Sequence, residues 1–389
     1  MPLPQFNFII VMKGKKMAFF IAMIVFVLAG IGITYKTLAG YSDFSDLVKF
    51  SILALLIIAW FSPIILGLLR YNAWMSISVY AGIAKASYFL MGLAFILLML
   101  ILLRETVWYI IYFISRNPAL SPDNAELLNR NNLITVIAAL LIAVYGVYEA
   151  HKVPAVNTIT IENSRIKENV KMVVASDFHI DTSTPMRQIE NFVNLINAQN
   201  PDYILLVGDI IDDVPEKLEK QMELLQKLKA KKIYLSLGNH EYYNAPGKWM
   251  IKFTRMGFEI LHNTGEKIAD TGLFISGIPD AGAREPNFKN ALYYATDDDY
   301  KILLSHTPKA IDLLEAGQFD LQVSGHTHGG QIFPFNYVAE IANGYLAGEY
   351  TVHGDKLYVT RGAGYWGPPM RILAPSDIVV INFKAEADE

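Results

Sequence analysis

Hydrophobic and polar positions are patterned differently in the first 150 residues and in the remainder of the chain. Long apolar runs occupy residues 17–35, 47–69, 87–103 and 133–148. The longer ones match the length of a bilayer-spanning helix, and the fourth is shorter. Pro63, inside the second, is a residue that membrane helices tolerate. Thr106–Ile114 is aromatic and apolar but too short to cross, so it is expected at the interface or as an extension of the third helix. Asn117–Asn132 is polar, holds Pro118 and Pro122, and reads as a loop. A signal peptide is the competing reading of the first run; its length and the spans behind it favour a membrane helix. Four spans put both ends on one side, and Lys13, Lys15 and Lys16 favour a cytoplasmic start. The pattern predicts a multi-pass cell-membrane protein. Residues 1–150 form an all-α transmembrane domain of about four helices, and residues 157–389 form a second domain on the cytoplasmic side.

From Asn157 onward, short β-rich runs alternate with amphipathic helices. Strands are predicted over Lys171–Ala175, Tyr203–Val207, Ile233–Leu237, Leu273–Ser276, Lys301–Leu304, Leu321–Val323, Leu357–Thr360 and Ile378–Phe383. Helices are predicted over Met186–Ala198, Glu216–Leu228, Lys248–Met256 and Lys309–Glu315. Such alternation gives an α/β layered fold with ligands beyond the carboxyl ends of the strands.

Composition adds three constraints. A mean hydropathy of +0.29 with 53% hydrophobic residues agrees with the membrane spans. A net charge of -4 without a basic run gives no reason to expect nucleic acid. The absence of cysteine excludes disulfides, thiolate metal sites and a cysteine nucleophile.

Polar clusters follow directly on five apolar strands. They are Ser176-Asp177-Phe178-His179, Gly208-Asp209-Ile210-Ile211-Asp212, Gly238-Asn239-His240-Glu241, Ser305-His306-Thr307 and Ser324-Gly325-His326-Thr327-His328-Gly329-Gly330. In extended backbone the two histidines of the last cluster point to one side. Alone, any of these residues has an ordinary structural role: an Asp can cap a helix and an Asn can serve a turn. Strands lying side by side would gather the clusters along one sheet edge. Carboxylate, imidazole and amide oxygen without thiolate suit Mn²⁺, with Fe²⁺ or Zn²⁺ as alternatives. A shared carboxylate can bridge two such ions, which lower the pKa of a bound water and neutralise phosphoryl oxygens.

The blocks D-x-H, G-D-x-x-D, G-N-H-E, a lone H and G-H-x-H resemble the calcineurin-like metallophosphoesterase superfamily over about Lys171–Gln331. The resemblance implies a layered metallophosphoesterase β-sandwich flanked by helices. It implies that Asp177, His179 and His328 bind one metal, that Asn239, His306 and His326 bind the other, and that Asp209 bridges both. His240 would be the general acid and Asp212 would orient a ligand. The N-terminal apolar runs, G-H-x-H-G-G-Q and the later R-G-x-G segment look like the YkuE-like branch, in which Arg361 or Arg371 could hold a substrate phosphate. Asp181, Asp213, Glu241, His151, His262 and His353 carry no assigned role, and Asp297-Asp298-Asp299 reads as a solvated turn.

The resulting expectation is a membrane-anchored, two-metal phosphoesterase that attacks its substrate with a metal-bound hydroxide. Its partners are the lipid bilayer and a phosphate-containing substrate; the membrane half points to a lipid-linked one, a soluble phosphodiester being the other choice. A protein phosphatase and a transporter or receptor with a non-catalytic metal domain are the competing classes. Few intramembrane charges and an intact ligand set argue against the last.

Overall fold

The computed structural model describes residues 14–386 except 41, 70–75, 123, 281 and 283. The expectation placed on Lys13 lies outside the described residues.

Four long helices come first: α1 (Gly14–Ala39), α2 (Asp46–Leu69), α3 (Ile77–Ser115) and α4 (Ala125–His151). All four are long and apolar enough to cross a membrane. Thr106–Ile114 proves to be the continuation of α3, one of the two alternatives read from sequence. That helix of 39 residues is about 58 Å long at 1.5 Å per residue, roughly twice the ~30 Å hydrocarbon core. The loop expected over Asn117–Asn132 is also shorter than predicted, because α4 already begins at Ala125.

Chain contacts divide the protein into two compact units. The first joins α1 and α2 to Ala86–Ala143; the second holds Trp74–Lys85 and everything from Val144. Inside the first, Ile31, Leu56, Trp60, Ala94 and Leu98 form a shared apolar core. Polar side chains there find partners: Arg104 donates to Asn132 Oδ1 at 2.8 Å and to Thr135 Oγ1 at 3.1 Å, and Asn132 donates to the Thr37 carbonyl at 2.7 Å.

The second unit is a two-sheet sandwich. In order come β1 (Ala155–Asn163), β2 (Val170–Ala175), α5 (Met186–Ala198), β3 (Tyr203–Val207), α6 (Glu219–Leu225), β4 (Lys232–Ser236), α7 (Asn239–Tyr243), α8 (Pro246–Arg255) and β5 (Phe258–Ile260). Then follow β6 (Thr264–Ile268), β7 (Leu273–Gly277), α9 (Phe288–Ala291), β8 (Tyr300–Leu304), β9 (Leu321–Ser324), α10 (Phe335–Asn343), β10 (Gly348–Val352), β11 (Asp355–Val359) and β12 (Asp377–Ala385). One sheet has the order β1-β12-β2-β3-β4-β5 and the other β10-β11-β9-β8-β7-β6. Both are mixed, with β2, β3, β4 and β5 running parallel in one and β7, β8, β9 and β11 in the other.

Alternation along the strands decides which core each residue joins. Met172 and Val174 of β2, with Leu205 and Val207 of β3, pack against Ile302, Leu304 and Val323 of the facing sheet. Val173, Ala175, Ile204 and Leu206 point the other way, onto Phe192 of α5, Leu225 of α6 and Trp249 of α8. With both faces buried, these strands read as continuous apolar runs. The segment predicted as a helix over Lys309–Glu315 is instead a 3-10 turn, Pro308–Leu313. Proline suits its first position, and the chain leaves helical geometry at Leu314 (ψ 147°).

Candidate metal centre

Parallel pairing puts the carboxyl ends of β2, β3 and β4 together, and those of β8 and β9 together. The five polar clusters leave from these ends. Backbone bonds then lock neighbouring loops: Asp177 N–H donates to the Gly208 carbonyl and His179 N–H to the Asp209 carbonyl, both at 3.0 Å. Five chemistry-bearing residues hold left-handed backbone: Asp177 (φ 55°), His179 (48°), Asp209 (52°), His326 (72°) and His328 (52°). That region is uncommon for non-glycine residues and persists where surrounding structure over-determines it. Gly208 (φ 76°) permits the tight approach of the β3 and β4 loops; a Cβ there would lie 2.6 Å from Gly238 N and from His306 Nδ1.

Three groups of ligand-type atoms form, each within 4.8 Å: Asp177, His179 and His328; His179, Asp209 and His240; and Asp209, His306 and His326. Asp209 belongs to two of them. Its Oδ1 accepts the His240 N–H at 2.9 Å. Its Oδ2 faces His306 Nε2 at 3.0 Å and His179 Nε2 at 3.8 Å. Asp177 Oδ1 lies 3.5 Å from His328 Nε2 and 3.9 Å from His179 Nε2. His326 Nδ1 faces His306 Nε2 at 3.2 Å.

The residues present fit divalent cations. His179 Nδ1–H donates to Asp212 Oδ1 at 2.9 Å, and His306 Nδ1–H donates to the Val207 carbonyl at 2.8 Å. Each bond leaves the Nε2 lone pair turned into the cluster, the tautomer that a metal requires. Asn239 Oδ1 is buried without a hydrogen-bond partner, an arrangement that costs stability unless something accepts the lone pair. Burial opposes the His179 cation, yet Asp212, Asp209 and Asp177 carry its pKa up to about 9. His306 is likewise raised, against burial, by Asp209. A pocket that draws protons onto buried imidazoles is a pocket short of positive charge. Burial and the neighbouring His179 push His328 well down.

His240 completes the arrangement. Its Nδ1 bonds Asp212 Oδ1 at 2.6 Å and its Nε2 lies 3.9 Å from Asp209 Oδ2. Asp212 therefore holds two imidazoles at once. Burial pushes its pKa up, but His179 and His240 hold it below the usual carboxylate range. Tyr243 and Trp366 flank the His240 ring at 5.5 and 6.1 Å.

Glu241, given no role from sequence, is fully buried. Its carboxylate accepts four backbone N–H groups: Gly238 at 2.8 Å and Asp209 at 3.0 Å on Oε2, Ile210 at 2.7 Å and Ile211 at 3.1 Å on Oε1. Burial and the Asp209 charge raise its pKa to about 7 against those donors. Its position after N-H in the third cluster was the available signal.

Arg371 corrects an expectation. Rather than facing a substrate phosphate, its side chain is fully buried. Its guanidinium donates to the carbonyls of Gly364 at 2.9 Å, Ala374 at 2.8 Å and Arg361 at 2.8 Å. Five donors in a rigid fork suit such a junction, and burial lowers its pKa to about 10. Arg361 is partly exposed and pairs with Asp377 at 3.4 Å. His151, His262 and His353 belong to none of the three ligand groups.

This fold and ligand set define a metal-dependent phosphoester hydrolase. The model for calcineurin-like phosphoesterases matches residues 170–330. A metallophosphoesterase of Campylobacter jejuni is 33% identical over 264 residues, 65% of this chain and 71% of that protein. A zebrafish (Danio rerio) transmembrane protein with a metallophosphoesterase domain is 32% identical over 275 residues, 66% and 63% respectively. The metallophosphoesterase YkuE of Bacillus subtilis is 32% identical over 242 residues, 58% and 84%. The chain belongs to the calcineurin-like phosphoesterase family.

Proposed function

We propose that this chain is a membrane-anchored phosphoesterase that holds two divalent cations, with Mn²⁺ the favoured metal, and that its catalytic half is cytoplasmic. Asp177, His179 and His328 would hold one ion, Asn239, His306 and His326 the other, and Asp209 would serve both. When bound, such a pair supplies an activated water and neutralises the phosphoryl oxygens. Mn²⁺ suits the mixed oxygen and imidazole donors.

The protein's own groups set the rest. The Asp212 bond fixes the His240 ring with Nε2 toward the cluster, so His240 gives its proton to the departing oxygen. Glu241 holds the β3 and β4 loops at fixed separation, which keeps Asp209 and Asn239 in register. The carrying observation is the meeting of five strand-end clusters around Asp209 Oδ2, beside the unpartnered Asn239 Oδ1.

The detergent-purified protein should hydrolyse an aryl phosphodiester with Mn²⁺ and lose that activity to chelator. Asp209→Ala should abolish turnover and bind fewer metals by elemental analysis. Retention of two ions per chain in that variant would refute the bridging role.

A further inference from the structure

Helix α10 turns an apolar stripe outward. Tyr337, Val338 and Ile341 share one helical face and are 58, 44 and 85% exposed, while Ala339 is the hydrophobic residue it buries. A helix at the surface of a soluble domain turns that stripe inward. Leu373 (74% exposed) and Phe333 (44%) extend the patch. They are joined because Ile332 bridges Ile372, the Phe333 N–H donates to the Ile372 carbonyl at 3.1 Å, and the Phe333 and Tyr337 rings meet at 6.0 Å.

The same segment is fixed to the end of a candidate membrane span. Arg371 N–H donates to the Gly146 carbonyl of α4 at 2.9 Å. A Cβ at Gly146 would meet Met370 and Ile372 at 3.1 and 3.2 Å. The last turns of α4 expose Tyr145 and Tyr148, the kind of side chain enriched where a span meets the headgroups. An outward apolar surface therefore continues from the end of a span, through Ile372 and Leu373, onto α10. A contiguous patch of this sort marks an interaction site, and its continuity with a span selects the bilayer as occupant.

We propose that α10, with Ile372 and Leu373, forms a membrane-contact face lying in the bilayer interface, which admits a phosphoester carried by a membrane amphiphile. The proposal rests on the phosphoesterase reading above and names the source of its substrate. Behind the face lies a cavity of about 220 Å³ lined by Gly329, Phe333, Asn336, Glu340, Arg361 and Leu373, among others. Gly329 directly follows His328. Among the described residues, Arg361 has one side-chain hydrogen bond, Nη1 to Asp377, so Nε and Nη2 remain to take an anionic oxygen. An apolar rim with a cation behind it suits a phosphate attached to an acyl chain.

The chain has no cysteine, so Ile341→Cys provides a single labelling site. The full-length variant, reconstituted in phosphatidylcholine–phosphatidylglycerol vesicles, would carry a polarity-sensitive fluorophore. Lipid-attached nitroxide should quench the label and aqueous iodide should not, with the reverse at the exposed position of Lys229→Cys. Equal iodide quenching at the two positions would overturn the contact face. In the second arm, Val338→Asp with Ile341→Asp should lower hydrolysis of a vesicle-borne phospholipid roughly tenfold and change that of a soluble aryl phosphodiester less than about twofold. Equal effects on both substrates, or none, would overturn substrate delivery. If the native protein with Mn²⁺ hydrolyses neither substrate, the phosphoesterase reading and substrate delivery fall together, while the quenching result still decides the contact face.

Discussion

Leu55, midway along α2, leaves 58% of its surface uncovered, and Leu141 in α4 leaves 66%, whereas Asp177 and Asp209 leave 0% and 2%. Judged as a water-soluble protein, each region is inside out: the helices expose apolar side chains and the sandwich buries charge. In each case the explanation is a partner of defined chemistry. Hydrocarbon is the solvent of the helices, so outward Leu and Ile are at no disadvantage. On the proposed reading, divalent cations are the counter-charge of the strand-end loops, and the clustered carboxylates and imidazoles are their ligands instead of unpaired groups. The two regions teach that misplaced polarity is informative when its misplacement is systematic.

The largest effect that would sharpen this contrast concerns His240. His240→Ala should retain the metals while losing about 10²- to 10⁴-fold in turnover of alkyl phosphoesters, and much less on aryl esters with good leaving groups. Equal losses on both would remove the general-acid role. Next comes a paired charge substitution. Leu55→Asp should cost about 3 kcal/mol of membrane insertion, read as a loss from the carbonate-resistant membrane fraction. Tyr294→Asp, at a similarly uncovered position of the sandwich (67% exposed), should be nearly neutral in the same assay. Similar behaviour of the two variants would break the distinction between lipid and water as solvents.

Glu241→Gln turns an amide N–H₂ toward backbone donors. It should cost about 2 kcal/mol, seen as a melting temperature lower by several degrees, and it should loosen metal binding because Asp209 loses its anchor. An unchanged melting temperature would show that those four bonds are dispensable. The smallest effect on substrate binding is expected from Arg371→Lys. It should lower stability through lost carbonyl bonds while leaving KM for a soluble diester unchanged; a KM rise without destabilisation would restore Arg371 as a substrate contact.

Much of the fold was legible because apolar runs are themselves the structural signal. The β2, β3, β8 and β9 strands are buried on both faces, so their sequences stand out against polar flanks. Strands β1, β5, β6 and β10 went unread. The first has a largely exposed pattern, β5 has three residues, and β6 and β10 lie at sheet edges with mixed burial. Their state depends on a neighbour's pairing more than on their own composition. Of the candidate site, the residue types and their strand-end placement were readable. The left-handed backbone at Asp177, His179 and Asp209, and the two hydrogen bonds that Asp212 accepts from His179 and His240, were not.

By itself the sequence determined the division into apolar helices and an alternating α/β half, the family resemblance and the donor chemistry, all of which are local properties of short segments. Tertiary structure decided that Glu241 gathers amides from residues about 30 positions away and that Arg371 closes a junction of carbonyls. It also decided that α10 shows its apolar stripe to the outside. Each depends on which backbone or surface lies opposite a side chain, and only long-range packing sets that.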